Sequence, residues 1–198
     1  MDKEPLVNFI RSHVPAASAP ALATIVGYAT ERAFAKQDLL LKAGTVSNEY
    51  VFLTDGLMRA FTLDLNGNEV TTNFFTKNRP VFDVSSLFTR THSAETIHAV
   101  TDCRGYVITF EHINVLFHGL PEFREFGRLM LVKEFAAFKQ RALSLINQTA
   151  EERYTSLMTS NKAVLQYAQL KHIASYLGIT DSSLSRIRRE MSKKGQSG

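Results

Sequence analysis

LKHIASYLGITDSSLSRIRRE, residues 170–190, has the layout of two short helices joined at a tight corner. Leu170, Ile173, Ala174 and Leu177 share one helical face. Gly178 supplies the turn, because a residue without Cβ takes positive φ cheaply. Ile179 fills the corner, and Thr180 is placed to cap the second helix by accepting a backbone N–H. Leu184 and Ile187, at i and i+3, pack that helix on the first. The remaining face carries Ser182, Ser183, Ser185, Arg186, Arg188 and Arg189. Hydroxyls and guanidiniums on one exposed helix face suit phosphates and base edges in a major groove, so the pattern reads as a DNA-binding helix-turn-helix. The alternative is an ordinary helical hairpin with a solvated basic face.

The charge distribution favours the first reading. Residues 161–198 hold seven Lys/Arg against Asp181 and Glu190, a net of +5 within a chain of net +4. The basicity therefore belongs to this end alone, which fits a nucleic-acid partner for that part. Lys171 and His172, at the start of the first motif helix, are further phosphate candidates. For Lys171 a solvated charge is an equal reading.

A chain of 198 residues suits one or two domains, and 14 Phe with no Trp make a Phe-rich core the expectation. Cys103 is the single cysteine, which excludes an internal disulfide and a cluster held by four thiolates of one chain. Its neighbours read as strand, so it is expected to be a small buried side chain. There is no signal peptide and no apolar run long enough to span a bilayer, so a cytoplasmic protein without a membrane partner is expected. The tail SKKGQSG reads as disordered or added in cloning.

Upstream, residues 4–34 look helical, interrupted by Pro15 and Pro20. From about 36 to 110 the pattern changes to short strands. Asp55-Gly56 between YVFLT and LMRAFTLDL reads as a hairpin turn, as does Asn66-Gly67-Asn68 before EVTTNFFT. Gly44 marks an earlier turn, and SAETIHAVTD and CRGYVITF read as a further strand pair. Five or more short strands with regular turns predict a small antiparallel barrel or jelly roll. Pro121 then opens a long helix with Phe123, Phe126, Leu129, Met130, Phe135, Phe138, Ala142, Leu145 and Ile146 at spacings of three and four. A helix this apolar needs more than one surface to cover it. Either the stripe lies wholly on the chain's own core, or Phe126, Leu129, Phe135, Phe138, Ala142 and Leu145 meet a second copy. Glu151-Glu152-Arg153-Tyr154 marks a hinge or the start of the next helix.

The order of N-terminal helices, β-roll, long apolar helix and helix-turn-helix resembles the cyclic-AMP receptor / fumarate-nitrate regulator (Crp/Fnr) superfamily of bacterial transcription factors. YVFLTDGLMRAFTLDLNGNEVTTNFF and LKHIASYLGITDSSLSRIRRE carry the resemblance, and the latter string is similar to versions found in Bacteroidetes. It implies an α+β fold: a cyclic-nucleotide-binding-like jelly roll with flanking helices over 1–120, a dimerisation helix over 121–150 and a helix-turn-helix domain over 151–198. The winged hairpin of many relatives is expected to be lacking. The implied partners are double-stranded DNA, a second copy of the chain, RNA polymerase and a small-molecule effector of unknown identity. No cofactor is implied. The implied effector pocket involves Phe75, Phe82, Asp83, Ser93, Ala94 and Phe138.

The departures narrow that expectation. Members that bind cyclic nucleotides carry a Gly-Glu pair and, ten residues after the Glu, an Arg that pairs with the cyclic phosphate. The resemblance sets Phe82-Asp83 at the Gly-Glu and Ser93 at the Arg. Asp83 can still accept from a hydroxyl, but Ser93 cannot neutralise a phosphate, and Arg90 is the nearest substitute. The roll is therefore expected not to bind cyclic AMP. Haem needs an axial ligand such as His, and His92, His98, His112 and His118 show no metal-site spacing within one element. Phe74, Phe75, Phe82 and Phe88 line a pocket or form plain core. In the recognition helix the family's leading Arg and Glu are replaced by Asp181 and Ser182, while Arg186 matches a base-reading Arg. Two function classes follow: a dimeric, effector-modulated regulator, or a non-catalytic sensor that has lost its switch and binds DNA constitutively or acts through protein contacts. An enzyme is not expected, since no Ser/His/Asp order, Gly-rich phosphate loop or paired metal ligands are present.

Overall fold

The computed structural model describes residues 3–196. Two helices, α1 (Glu4–His13) and α2 (Ala19–Gly27), precede β1 (Thr30–Phe34), β2 (Leu39–Leu41), β3 (Glu49–Asp55), β4 (Leu57–Leu63), β5 (Glu69–Thr76) and β6 (Arg79–Val81). A short α3 (Val84–Thr89) leads to β7 (Thr96–Ala99) and β8 (Cys103–Thr109). Helices α4 (Phe110–Gly119), α5 (Pro121–Asn147), α6 (Ala150–Ser160), α7 (Lys162–Tyr167), α8 (Leu170–Tyr176) and α9 (Asp181–Gln196) follow. Among the described residues, no helix is long and apolar enough to cross a membrane.

The strands form two antiparallel sheets, ordered β1-β8-β3-β6 and β2-β7-β4-β5. Strand alternation builds three cores from them. Val51, Leu53, Met58 and Ala60 point between the sheets with Phe34, Phe75, Ile97 and Cys103. Phe52, Tyr106 and Ile108 point outward from the first sheet onto α1, α2, α4 and the start of α5, where Phe123, Phe126 and Met130 meet them. Leu57 and Phe74 point outward from the second sheet onto the C-terminal helices, against Tyr154, Leu157, Val164, Ile173 and Leu184. The central strands are thus covered on both faces, which is why stretches such as VFL at 51–53 are apolar without alternation.

Several sequence expectations change. The N-terminal helical region ends at Gly27, and residues 30–34 are a strand paired with β8. Asp55-Gly56 is not a hairpin turn: β3 pairs with β6 and β8, whereas β4 pairs with β5 and β7. Gly56 instead carries the chain from one sheet to the other, at φ +94°, with a would-be Cβ 2.5 Å from Cys103 Sγ and 2.6 Å from the Asp102 carbonyl oxygen. β7 and β8 are likewise split between the sheets. The Asn66-Gly67 turn does join a hairpin, β4 to β5, in register Leu63↔Glu69. Residues 192–196 of the expected disordered tail continue α9, and Ser197-Gly198 lie outside the described residues.

The boundary of α5 follows from local chemistry. Pro121 opens it, as its missing N–H costs nothing in a first turn. At the other end Thr149 and Glu152 form a reciprocal capping box that starts α6, so Glu151–Tyr154 belong to a helix start.

Candidate nucleic-acid interface and effector region

The corner of the helix-turn-helix closes as a Schellman motif. Gly178, at φ +70°, donates its N–H to Ser175 O at 3.1 Å, and Ile179 N–H reaches Ala174 O at 3.0 Å. Thr180 Oγ1 accepts the Ser183 N–H at 3.3 Å and starts α9. Leu184 and Ile187 are buried against α8, and Ser182, Ser185, Arg186, Arg188 and Arg189 face solvent. Ser183 is half-buried and its hydroxyl is engaged by Thr180. Among the described residues, the three arginines of α9 have no ion-pair partner. Lys171 is exposed on α8.

His172 is placed differently from its expectation as a phosphate contact. It is 9% exposed and turned toward the roll, with Nε2 3.7 Å from Glu69 Oε2. Burial first, and then the charge of Arg59, holds its pKa down at about 4. An i, i+1 step in a helix turns the side chain by about 100°, so the neighbours Lys171 and His172 occupy opposite environments.

Two further contacts tie α8 to the rest of the chain. Arg141 of α5 donates to Tyr176 O at 3.0 Å and stacks 4.2 Å from the Tyr176 ring centroid. Arg153 of α6 donates from Nε to Leu177 O at 3.0 Å. Both cations sit at the C-terminal end of α8, where unpaired carbonyls and the helix dipole favour them.

The six residues expected around an effector do not converge. Phe75 lies in the core between the sheets, and Phe82 faces the other compartment, beside Tyr50 at a ring distance of 5.2 Å. Ala94 is exposed, and Phe138 lies 67% exposed on α5. Strand alternation separates Phe75 and Phe82, and the outer half of α5 stands away from the roll. Asp83 and Ser93 do meet. Asp83 caps α3 through the Ser86 N–H at 3.2 Å, and its other oxygen accepts the Ser93 hydroxyl at 2.6 Å. Ser93 Oγ also accepts the Glu95 N–H at 3.0 Å. Burial raises the Glu95 pKa, and nearby Asp83 adds to the rise. Arg90 is not a substitute cation here. Its guanidinium donates to Ser47 O at 2.7 Å and to Asn48, and lies 3.9 Å from the Phe110 ring centroid.

On α5 the stripe divides. Phe126 is 5% exposed within the chain's own core, and Leu129 packs partly against it, so Phe126 is not available to a second copy. Beyond Met130 the same stripe is exposed among the described residues: Phe135 is 69% exposed, Phe138, Ala142 and Ile146 are also exposed, and Leu145 is exposed in part, with one methyl beside Gly178. The residues that sequence reasoning missed are Arg59, Glu69, Thr71, Ser175 and Arg141. A charged residue inside the apolar run LMRAF was the available signal for Arg59.

Residues 31–118 match the cyclic nucleotide-binding domain family. No curated protein matches the sequence. Among solved structures the chain is similar to FixK2 from Bradyrhizobium japonicum, with 17% identity, TM-score 0.71 and cover of 84% of this chain and 86% of that one. It is similar to the c-di-GMP responsive global regulator CLP of Xanthomonas campestris, with 13% identity, TM-score 0.69 and cover of 90% and 93%. It is also similar to a Eubacterium rectale chain ascribed to the crp/fnr family of transcriptional regulators, with 13% identity, TM-score 0.71 and cover of 92% and 87%. Residues 31–118 are thus similar to the cyclic nucleotide-binding domain family, and the chain as a whole has the fold seen in solved structures of Crp/Fnr-type regulators.

Proposed function

We propose that the chain is a homodimeric, sequence-specific DNA-binding regulator without enzymatic activity, whose roll does not take cyclic AMP. The observation that carries the reading is α9. Its capped N-terminal turn and its exposed Ser182, Ser185, Arg186 and Arg189 form one face that is free of ion pairs among the described residues. Arg186 is the residue for a bidentate guanine contact; Arg188, Arg189 and Lys171 supply phosphate contacts. The exposed second half of the α5 stripe supports two-fold pairing through Phe135, Phe138, Ala142 and Leu145. The three segments then act as sensor (1–120), dimer helix (121–150) and DNA reader (151–198).

The Asp83–Ser93 hydrogen bond supports the loss of cyclic-nucleotide binding. Where the resemblance sets the phosphate-pairing Arg stands Ser93, its hydroxyl held by Asp83, and Arg90 is held elsewhere. The same observation favours the second reading, a module whose pocket is degenerate and whose DNA binding is constitutive.

The direct test is Arg186→Ala against the duplex that the wild type selects, by fluorescence anisotropy at fixed salt. Loss of about 1–3 kcal/mol of discrimination at one base position is expected. Unchanged affinity and unchanged preference would contradict the role of Arg186.

A further inference from the structure

The roll and α8 meet through a charged seam. Arg59 of β4 is 1% exposed. Its Nε donates to Thr71 Oγ1 at 2.9 Å and its Nη1 to Glu69 Oε2 at 2.7 Å. From α8, Ser175 Oγ donates to the same Thr71 Oγ1 at 2.9 Å and accepts the Thr71 N–H at 3.2 Å. His172 Nε2 lies 3.7 Å from the Glu69 oxygen that Arg59 already holds. His98 of β7, 7% exposed, is the cross-strand neighbour of Arg59. Among the described residues, three buried nitrogens of this group, Arg59 Nη2, His98 Nε2 and His172 Nδ1, have no hydrogen-bond partner. One half-exposed carboxylate therefore serves a guanidinium and two imidazoles. Such a set is tolerable while the imidazoles are neutral. With both protonated, three cations would share one anion at low exposure.

We propose that Arg59, Glu69, His98 and His172 form a proton-sensitive clasp that positions the helix-turn-helix on the roll, closed when both imidazoles are neutral and released when they take up protons. The charged groups facing His172 are Arg59 from β4, Glu69 from β5, His98 from β7 and Lys171 from its own helix, and only Glu69 favours the proton. His98 faces Arg59 and Glu69. Burial is the largest influence on both, and it lowers both pKa values, to about 4 for His172. A histidine whose docked pKa lies below its free value of 6.5 stabilises docking above that value. The contribution is lost as the pH falls from 6.5 toward 4. From pH 7 to pH 5 the docking equilibrium weakens by about twenty-fold from His172 alone. The clasp is a property of the chain by itself and does not depend on α9 reading DNA.

The test is hydrogen exchange of the full chain between pH 7 and pH 5, corrected for intrinsic rates and followed over Leu170–Tyr176. In the wild type, protection of this segment should fall by about twenty-fold while β3 and β8 hold theirs. His172→Gln, which keeps a polar group but takes no proton, should flatten most of that response, and His98→Gln should flatten part of it. Protection independent of pH, or a full response retained in both variants, would overturn the proposal. So would a His172 imidazole resonance that titrates at the ordinary value in the intact protein. That last measurement decides the matter even if His172→Gln fails to dock.

Discussion

Ser93 donates its hydroxyl to Asp83 across 2.6 Å, and this contact joins the start of α3 to the segment before β7. On the proposed reading, it engages Ser93, the position at which the resemblance would set a phosphate-pairing arginine. Asp83→Ala removes both the cap of α3 and the acceptor for a buried hydroxyl. Denaturant unfolding should report a loss of about 1–2 kcal/mol. In the wild type, calorimetric titration with cyclic AMP should give no saturable heat. A micromolar complex would refute the reading of this pair.

Gly56 is the corner between the two sheets, and its neighbours leave no room for a methyl group. Gly56→Ala meets both a positive φ and the Cys103 and Asp102 atoms beside it, so it should cost more than about 1 kcal/mol. Gly67→Ala has a positive φ but open space around it and should cost less. Equal midpoints for the two variants would show that the tight approach at Gly56 is relieved by movement.

Phe126 and Phe138 lie on one stripe and should respond differently. Phe126→Ala empties a core site and should destabilise the fold by about 3–5 kcal/mol. Phe138→Glu leaves the fold intact and should shift sedimentation equilibrium from dimer to monomer. A dimer that survives Phe138→Glu and Phe135→Glu together would move the interface away from this helix.

The helix-turn-helix was legible because its information is local. Gly178, Thr180, Leu184 and Ile187 each act on neighbours within one or two helical turns. The Asn66-Gly67 hairpin was legible for the same reason. Asp55-Gly56 misled because a two-residue turn and a sheet-to-sheet corner need the same backbone freedom. Only the pairing of β3 with β8 and of β4 with β7 separates them, and that pairing is non-local. His172 misled because its neighbour Lys171 is exposed, and only the docking of α8 on β5 turns the imidazole inward. The resemblance set Asp83 and Ser93 at two positions of one motif, and in the structure their side chains touch. It grouped Phe75, Phe82 and Phe138 with them, which strand alternation and the projection of α5 separate.

The proposed function requires the chain to read DNA as a dimer without cyclic AMP. The decisive measurement is selection from random-sequence duplexes by the full chain at fixed salt, with and without cyclic AMP. The expected result is a palindromic site enriched equally in both conditions, with half-sites about one helical turn apart. Enrichment only in the presence of cyclic AMP, or no enrichment in either condition, would contradict it.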